Sequence, residues 1–129
     1  MEFPEQLRYT KDHEWVRVEG EEIVFGITDF AQDQLGDIVY IDLPEPGASL
    51  EQMDAFGSVE AVKTVADLYA PVSCTVVAVN EALNDDPALV NNAPYGDGWI
   101  VRAKIGDVGQ LDDLLSAAAY QKLVAELGG

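Results

Sequence analysis

Residues 58–67 read SVEAVKTVAD, an apolar run around one basic residue, Lys63. Between residues 18 and 101, Lys63 is the only Lys or Arg, and the same window contains most of the 24 acidic residues. Two short strands meeting here would place Lys63 at a hairpin tip, although no Gly, Asn or Asp favours a tight turn there. Two structural explanations stay open beside a functional one. The lysine could protect an exposed strand edge, or it could pair with Glu60 or Asp67.

The sequence on either side of this segment predicts many short strands and two helices. Thr28 is a suitable N-cap for a short helix over residues 29–35, and Gly36 ends that helix. An Ala-rich segment after Ser116 predicts a C-terminal helix at about 116–127. Short strands with regular turns are typical of a small antiparallel sandwich or barrel, so we expect one mostly β domain over residues 1–129. The strand signals lie at 14–19, 23–27, 38–41, 54–79 and 99–104.

The charge of the chain excludes several classes of function. There are 24 acidic and seven basic residues, for a net charge of −17. A nucleic-acid binder needs Lys and Arg to neutralise phosphates, and anionic membrane surfaces would repel this chain, so we expect neither partner. The N-terminus has no apolar run or Arg-rich pattern, which predicts a cytoplasmic protein, or a mitochondrial matrix protein only if a transit peptide has been removed.

Cysteine and histidine offer little chemistry in this sequence. One Cys and one His, Cys74 and His13, cannot form a disulfide framework or a common structural zinc site. They could be a nucleophile and its base. The apolar strand around Cys74 favours a buried, inert thiol, and the acidic neighbours of His13 favour a hydrogen-bonding role. We expect Trp15 and Trp99 to lie in the core, although packing on a bound arm is an alternative.

Several sequence blocks, distributed in order over nearly the whole chain, are similar to one family. The lysine segment resembles the modified hairpin of lipoyl and biotinyl carrier domains, and the full set of blocks resembles the H-protein family of the glycine cleavage system. The blocks are YTKDHEWV (9–16), GITDFAQ (26–32), LGDIVY (35–40), VEAVK (59–63), ADLYAPVS (66–73), VNE (79–81) and NAPYGDGW (92–99).

The resemblance implies a barrel-sandwich hybrid fold, mostly β, with a lysine hairpin around 59–67, short flanking helices and a C-terminal helix. It implies a non-catalytic carrier with lipoate joined to Lys63 as an N6-lipoyl amide. The arm would carry the aminomethyl group of glycine from the pyridoxal-phosphate-dependent decarboxylase (P protein) to the folate-dependent aminomethyltransferase (T protein). Dihydrolipoamide dehydrogenase (L protein) would then reoxidise the arm, and lipoate-attaching enzymes would first load it.

The resemblance also implies roles for four carboxylates. Glu14 and Asp67 would line the cleft where the loaded arm rests, Asp12 would be a further arm contact, and Glu60 would belong to the context that directs lipoylation. The alternative is a solvated acidic face, because acids are in excess throughout the chain.

The sequence departs from the carrier families at a few positions. Biotinyl carriers usually have Met on both sides of the lysine, whereas this chain has Val62 and Thr64, which favours lipoate. Ala61 replaces a Ser common in the H-protein family, and Cys74 stands where Gly is expected, which places a side chain where the family has none.

Two alternative functions stay open. The first is a lipoyl or biotinyl carrier of another complex, or an H-like protein that relays lipoate between proteins. The second is an unmodified binding module whose hairpin has lost its prosthetic group. The mass of the intact protein after expression with lipoate would separate these readings.

Overall fold

The computed structural model describes residues 1–127, in which the strands form two antiparallel sheets. The strands are β1 (Arg8–Tyr9), β2 (Glu14–Glu19), β3 (Glu22–Ile27), β4 (Ile38–Asp42), β5 (Ser49–Leu50), β6 (Ala55–Ala61), β7 (Val65–Tyr69), β8 (Cys74–Val79) and β9 (Val101–Ile105). The larger sheet has the order β1-β2-β3-β9-β8-β5, and the smaller sheet has the order β4-β6-β7. This arrangement agrees with the antiparallel sandwich or barrel that the strand pattern predicts.

The two helices that the sequence predicts begin at the residues that their capping signals indicate. The helices are α1 (Asp29–Leu35), α2 (Ala82–Asp85), α3 (Leu89–Asn92) and α4 (Ala117–Glu126), and a 3₁₀ helix spans Val108–Asp113. The Thr28 side chain accepts a hydrogen bond from the backbone of Ala31 at the start of α1, and Ser116 does the same from Ala119 at the start of α4. Within residues 1–127, no helix has both the length and the apolar character needed to cross a membrane.

The main core lies between the two sheets. Phe25 and Val76 contribute from the larger sheet, and Ile41, Val59 and Leu68 contribute from the smaller one. Alternate residues along each strand point inward, so both sheets bury one apolar face against the other. Burial of these two faces is what positions the β6–β7 hairpin relative to the rest of the molecule.

A second apolar cluster attaches α4 to the outer part of the larger sheet. The rings of Tyr9 and Tyr120 are stacked, with centroids 4.7 Å apart, and Trp15 is completely buried in the same cluster. Trp15 is therefore a core residue, as expected. Trp99 differs, because it is half-buried and packs against the cluster from its margin.

The structure corrects the sequence interpretation in three places. The β-like stretch 54–79 is three strands, because the chain turns at residues 62–64, within the hairpin expected around 59–67, and turns again between Tyr69 and Cys74, which the sequence interpretation did not include. The last strand begins at Val101 and not at residue 99, because the Trp99 carbonyl accepts a hydrogen bond from the Asn80 side chain. The segments of α2 and α3 carried no strand or helix expectation, since four-residue helices are too short for a periodic signal.

Candidate functional site

Lys63 lies in the turn between β6 and β7, with its side chain exposed to solvent. The Ala61 backbone N–H donates to the Thr64 carbonyl at 2.8 Å, which closes the turn across Lys63. The Val62 backbone N–H donates to the Asp37 carbonyl at 3.0 Å. The turn contains no glycine, so its own residues do not favour a tight turn. The bond from Val62 to Asp37 stabilises the turn from a distant segment of the chain.

The segment that holds the turn is itself fixed by one side chain, Asn91 on α3. The Asn91 amide donates to the Gly36 carbonyl at 2.8 Å and to Gln32 Oε1 at 3.0 Å. Its oxygen accepts from the Ile38 backbone N–H at 3.0 Å. Asn91 therefore ties α1 to the start of β4, and through Asp37 it supports the lysine turn. The sequence analysis missed this residue because its partners are distant along the chain.

Both structural explanations for Lys63 are excluded by its surroundings. The residue lies in a turn and not along a strand edge. It forms no salt bridge with any carboxylate of residues 1–127, since the ion pairs present there join Arg17 or Arg102 to Glu19 and Glu22. A methyl group built on Gly36 would lie 3.6 Å from Lys63 Cε and 3.9 Å from Nζ, so the lysine stem lies beside this glycine. Lys63 is therefore exposed and, within residues 1–127, has no ion-pair partner.

A cleft of about 410 Å³ lies close to the lysine. Leu35, the residue before Gly36, is part of its wall, and most of the remaining wall is apolar. Asp12 and Asp67 contribute the carboxylates, so the structure brings these two predicted site residues together. The lining residues are Asp12, His13, Ile27, Phe30, Ala31, Gln34, Leu35, Val59, Ala66, Asp67, Leu68 and Leu127. An apolar cleft with carboxylates suits a flexible hydrocarbon chain that ends in a cation.

Glu14 is placed differently from Asp12 and Asp67. Its side chain is only 2% exposed, it is not part of the cleft wall, and it accepts a hydrogen bond from the Thr10 hydroxyl at 2.6 Å. Burial away from water raises the pKa of Glu14 to about 8, although the Thr10 bond opposes this rise. Burial therefore favours the protonated form of the Glu14 carboxyl.

Glu60, the last of the predicted site residues, and Cys74, the candidate nucleophile, lie outside the cleft wall. Glu60 is exposed on β6 and faces away from the core. Cys74 is buried in the main core, as expected, and this burial raises the pKa of its thiol to about 11, which disfavours the reactive thiolate.

His13 is hydrogen-bonded and does not act as a base for Cys74. Its Nδ1 lies 2.9 Å from the hydroxyl of Tyr120 on α4, and that hydroxyl lies 2.6 Å from Thr28 Oγ1. Partial burial lowers the pKa of His13, which favours the neutral ring. The chain His13–Tyr120–Thr28 joins the cleft wall to α4 and to the start of α1. The expected hydrogen-bonding role of His13 is confirmed, and the structure adds Tyr120 as its partner.

The comparisons with known proteins agree along almost the full chain. A family model described as glycine cleavage H-protein matches residues 7–127. The glycine cleavage system H protein of Geobacillus kaustophilus (strain HTA426) is 56% identical over 126 residues, which covers 98% of this chain and 99% of that protein. The corresponding protein of Staphylococcus carnosus (strain TM300) is 53% identical over 126 residues, with 98% of this chain and 100% of that protein covered.

A solved structure gives the same result for the fold. The crystal structure of a glycine cleavage system H protein from Mycobacterium marinum superposes with a TM-score of 0.85 at 38% identity, and covers 98% of this chain and 99% of that one. The fold class expected from the sequence is confirmed. The family model and these relatives each span nearly the whole chain, and this chain belongs to the glycine cleavage H-protein family.

Proposed function

We propose that this chain is the lipoyl carrier of the glycine cleavage system, and that lipoate is attached to Lys63 through an amide bond. The observation that carries this proposal is the placement of Lys63 in a member of this family. It is an exposed amine at a hairpin tip, with no carboxylate partner in residues 1–127. An enzyme can reach such an amine without first breaking an ion pair.

The cleft beside Lys63 fits an attached arm. When bound, lipoate supplies a dithiolane that accepts the aminomethyl group of glycine. The apolar wall, with Phe30 and Leu35, can cover the hydrocarbon part of the arm, and Asp12 and Asp67 can attract a cationic amine. The charge of Asp12 contributes to the raised pKa of Glu14, and a nearby cation would favour the ionised form of Glu14. Glu60, on the outer face of the hairpin, would contribute to recognition during attachment.

The chain would perform no chemistry of its own in this role. Its partners would be the P protein, the T protein, the L protein and the lipoate-attaching enzymes, and we expect it to work in the cytoplasm as one domain over residues 1–129. The carrier's contribution is to present Lys63 on a rigid hairpin and to shelter the loaded arm, while the partners hold the reacting groups.

The intact mass of the protein, expressed with lipoate and a lipoate-attaching enzyme, tests this function. We expect one lipoyl group on the wild type and none on Lys63→Arg, because a guanidinium is always protonated and is not acylated. Lys104→Arg is the matched control on β9 and should carry one lipoyl group. A biotinyl increment would support the biotin carrier, and no increment would support an unmodified binding module. Lipoate on another lysine of Lys63→Arg would overturn the assignment.

A further inference from the structure

Helix α4 carries an apolar stripe that continues beyond the part of the helix packed on the larger sheet. Ala117, Tyr120 and Val124 are 8%, 0% and 3% exposed and lie on one face of the helix. Leu127 has a helical backbone and follows Val124 at the spacing that keeps it on this face. It is nevertheless 57% exposed. The stripe therefore ends in a large apolar side chain that the fold leaves partly uncovered.

The end of α4 is held in a defined position. The Leu127 backbone N–H donates to two carbonyls of the preceding turn, at 3.1 and 3.2 Å. One helical face is anchored through the Tyr120 hydroxyl, which contacts His13 and Thr28. Because Thr28 also caps α1, this contact fixes α4 relative to α1. Leu127 is therefore placed relative to the α1 side of the cleft by tertiary contacts.

Leu127 contributes to the wall of the cleft close to Lys63. Phe30 and Leu35 of α1 supply other apolar side chains of the same wall. Leu35 precedes Gly36, and the Lys63 stem lies beside that glycine. An apolar group that enters the cleft would cover the exposed part of Leu127. This burial would favour the occupied cleft over the empty one.

Two observations select the occupant that covers Leu127. It has to be apolar and narrow enough for a cleft of about 410 Å³, and the cleft lies close to the lysine that carries the arm in the proposed function. A second copy of this chain would be repelled by its net charge of −17. We propose that Leu127 closes the apolar wall over the loaded arm and shields the aminomethyl group from water. This inference rests on the proposed function.

Water is the co-reactant in the loss of the aminomethyl group. The nitrogen lone pair forms a C=N bond as the carbon–sulfur bond breaks, and the thiolate leaves and takes up a proton. Water then adds to the iminium carbon, and formaldehyde and ammonia are released. The first step separates charge, because a neutral thioether becomes a cation and a thiolate. Charge separation is costly where water is excluded, so an apolar cover slows the loss.

Methyl NMR of the wild type tests the contact directly, with leucine methyl groups labelled and the Leu127 signals identified by their absence in Leu127→Met. We expect these signals to shift when glycine and the P protein load the lipoylated carrier. We also expect nuclear Overhauser effects between the Leu127 methyl groups and the methylene protons of the arm. This measurement uses the wild type, so it does not depend on the folding of a variant.

The release of formaldehyde and ammonia from the loaded protein, without the T protein, tests the protection. We expect Leu127→Ser to release them about three- to tenfold faster, because a small polar side chain leaves the cleft open to water. Leu127→Met keeps an apolar cover and should stay close to the wild type. Val108→Ser is the matched control, because Val108 is 68% exposed in the 3₁₀ helix and outside the cleft wall.

Salt separates this effect from that of the carboxylates. Leu127 carries no charge, so the ratio of the Leu127→Ser rate to the wild-type rate should be the same at about 0.05 and 0.5 M salt. Thermal unfolding of the variant shows whether its fold is intact.

Three results would overturn the role of Leu127 and leave the carrier function in place. They are equal release rates for Leu127→Ser and the wild type, a rate ratio that falls with salt, and a loaded wild type without contact between the Leu127 methyl groups and the arm. A wild type that accepts no lipoate would instead overturn the proposed function itself.

Discussion

At the scale of single residues, the buried carboxyl of Glu14 makes stability depend on pH. Its pKa is about 8 in the folded chain against an ordinary value of 4.5, so the folded state holds the proton more tightly than the unfolded state does. The contribution of Glu14 to the free energy of unfolding is complete below pH 4.5 and is lost as the pH rises toward 8. The slope from one such group is at most about 1.4 kcal/mol per pH unit.

We therefore expect Glu14→Gln to flatten the decline in the free energy of unfolding between pH 4.5 and 8. Gln keeps the shape of the side chain and cannot ionise, so the contribution of Glu14 disappears. Urea unfolding across this pH range measures the effect. Glu60→Gln, which changes an exposed carboxyl, is the control and should retain the wild-type slope. If Glu14→Gln and the wild type have equal slopes, Glu14 does not carry a raised pKa.

Asp67 is the residue whose charge should protect the loaded arm. An aminomethyl group on sulfur is lost when the nitrogen lone pair expels the thiolate, and protonation of that nitrogen removes the lone pair. A nearby carboxylate favours the protonated amine. We expect Asp67→Asn to release formaldehyde and ammonia about two- to fivefold faster from the loaded protein without the T protein, as suits an exposed ion pair. Asp42→Asn is the control, because Asp42 lies on the same face of the smaller sheet but outside the cleft wall, and it should behave like the wild type.

At the scale of elements, Asn91 on α3 joins α1, β4 and the lysine turn. Asn91→Ala removes three hydrogen bonds and leaves the Ile38 N–H and the Gly36 carbonyl without this partner. We expect a loss of about 2–3 kcal/mol in the free energy of unfolding. We also expect faster amide hydrogen exchange at Val62, whose N–H is bonded to Asp37. Asn92→Ala, at the exposed neighbouring position, is the control and should change stability by less than about 0.5 kcal/mol.

At the scale of the whole molecule, the net charge of −17 should govern encounters with partners. Long-range attraction to basic surfaces is screened beyond about 8 Å at physiological salt. We expect the apparent KM of the P protein for this carrier to rise at least about threefold between about 0.05 and 0.3 M salt. The kcat should change little, because the charge acts on the encounter. A KM that does not depend on salt would mean that apolar contacts dominate docking and that the charge serves solubility.

The sequence by itself determined what depends on neighbouring residues. Thr28 and Ser116 cap α1 and α4 at the predicted positions, because a cap bonds to a backbone group three residues away. The net charge of the chain could also be read directly from the sequence, and so could the absence of any other Lys or Arg between residues 18 and 101. The identities of Asp12 and Asp67 as cleft residues came from the resemblance to a family, since no local pattern separates them from the other acids.

Only the tertiary structure decided the features that distant segments create together. The lysine turn has no favourable turn residue. It is stabilised by the hydrogen bond from the Val62 backbone to the Asp37 carbonyl, and Asn91 fixes the segment that contains Asp37. Glu14 was expected in the cleft wall, and the fold buries it instead and so raises its pKa. Tyr40, Glu60 and Val65 form a row of exposed side chains on the smaller sheet, and this row requires the register of three strands. These features come from the bond between Val62 and Asp37, from the exclusion of water around Glu14 and from the pairing of β4, β6 and β7, and the folded chain creates each of them in a way that no local sequence pattern reports.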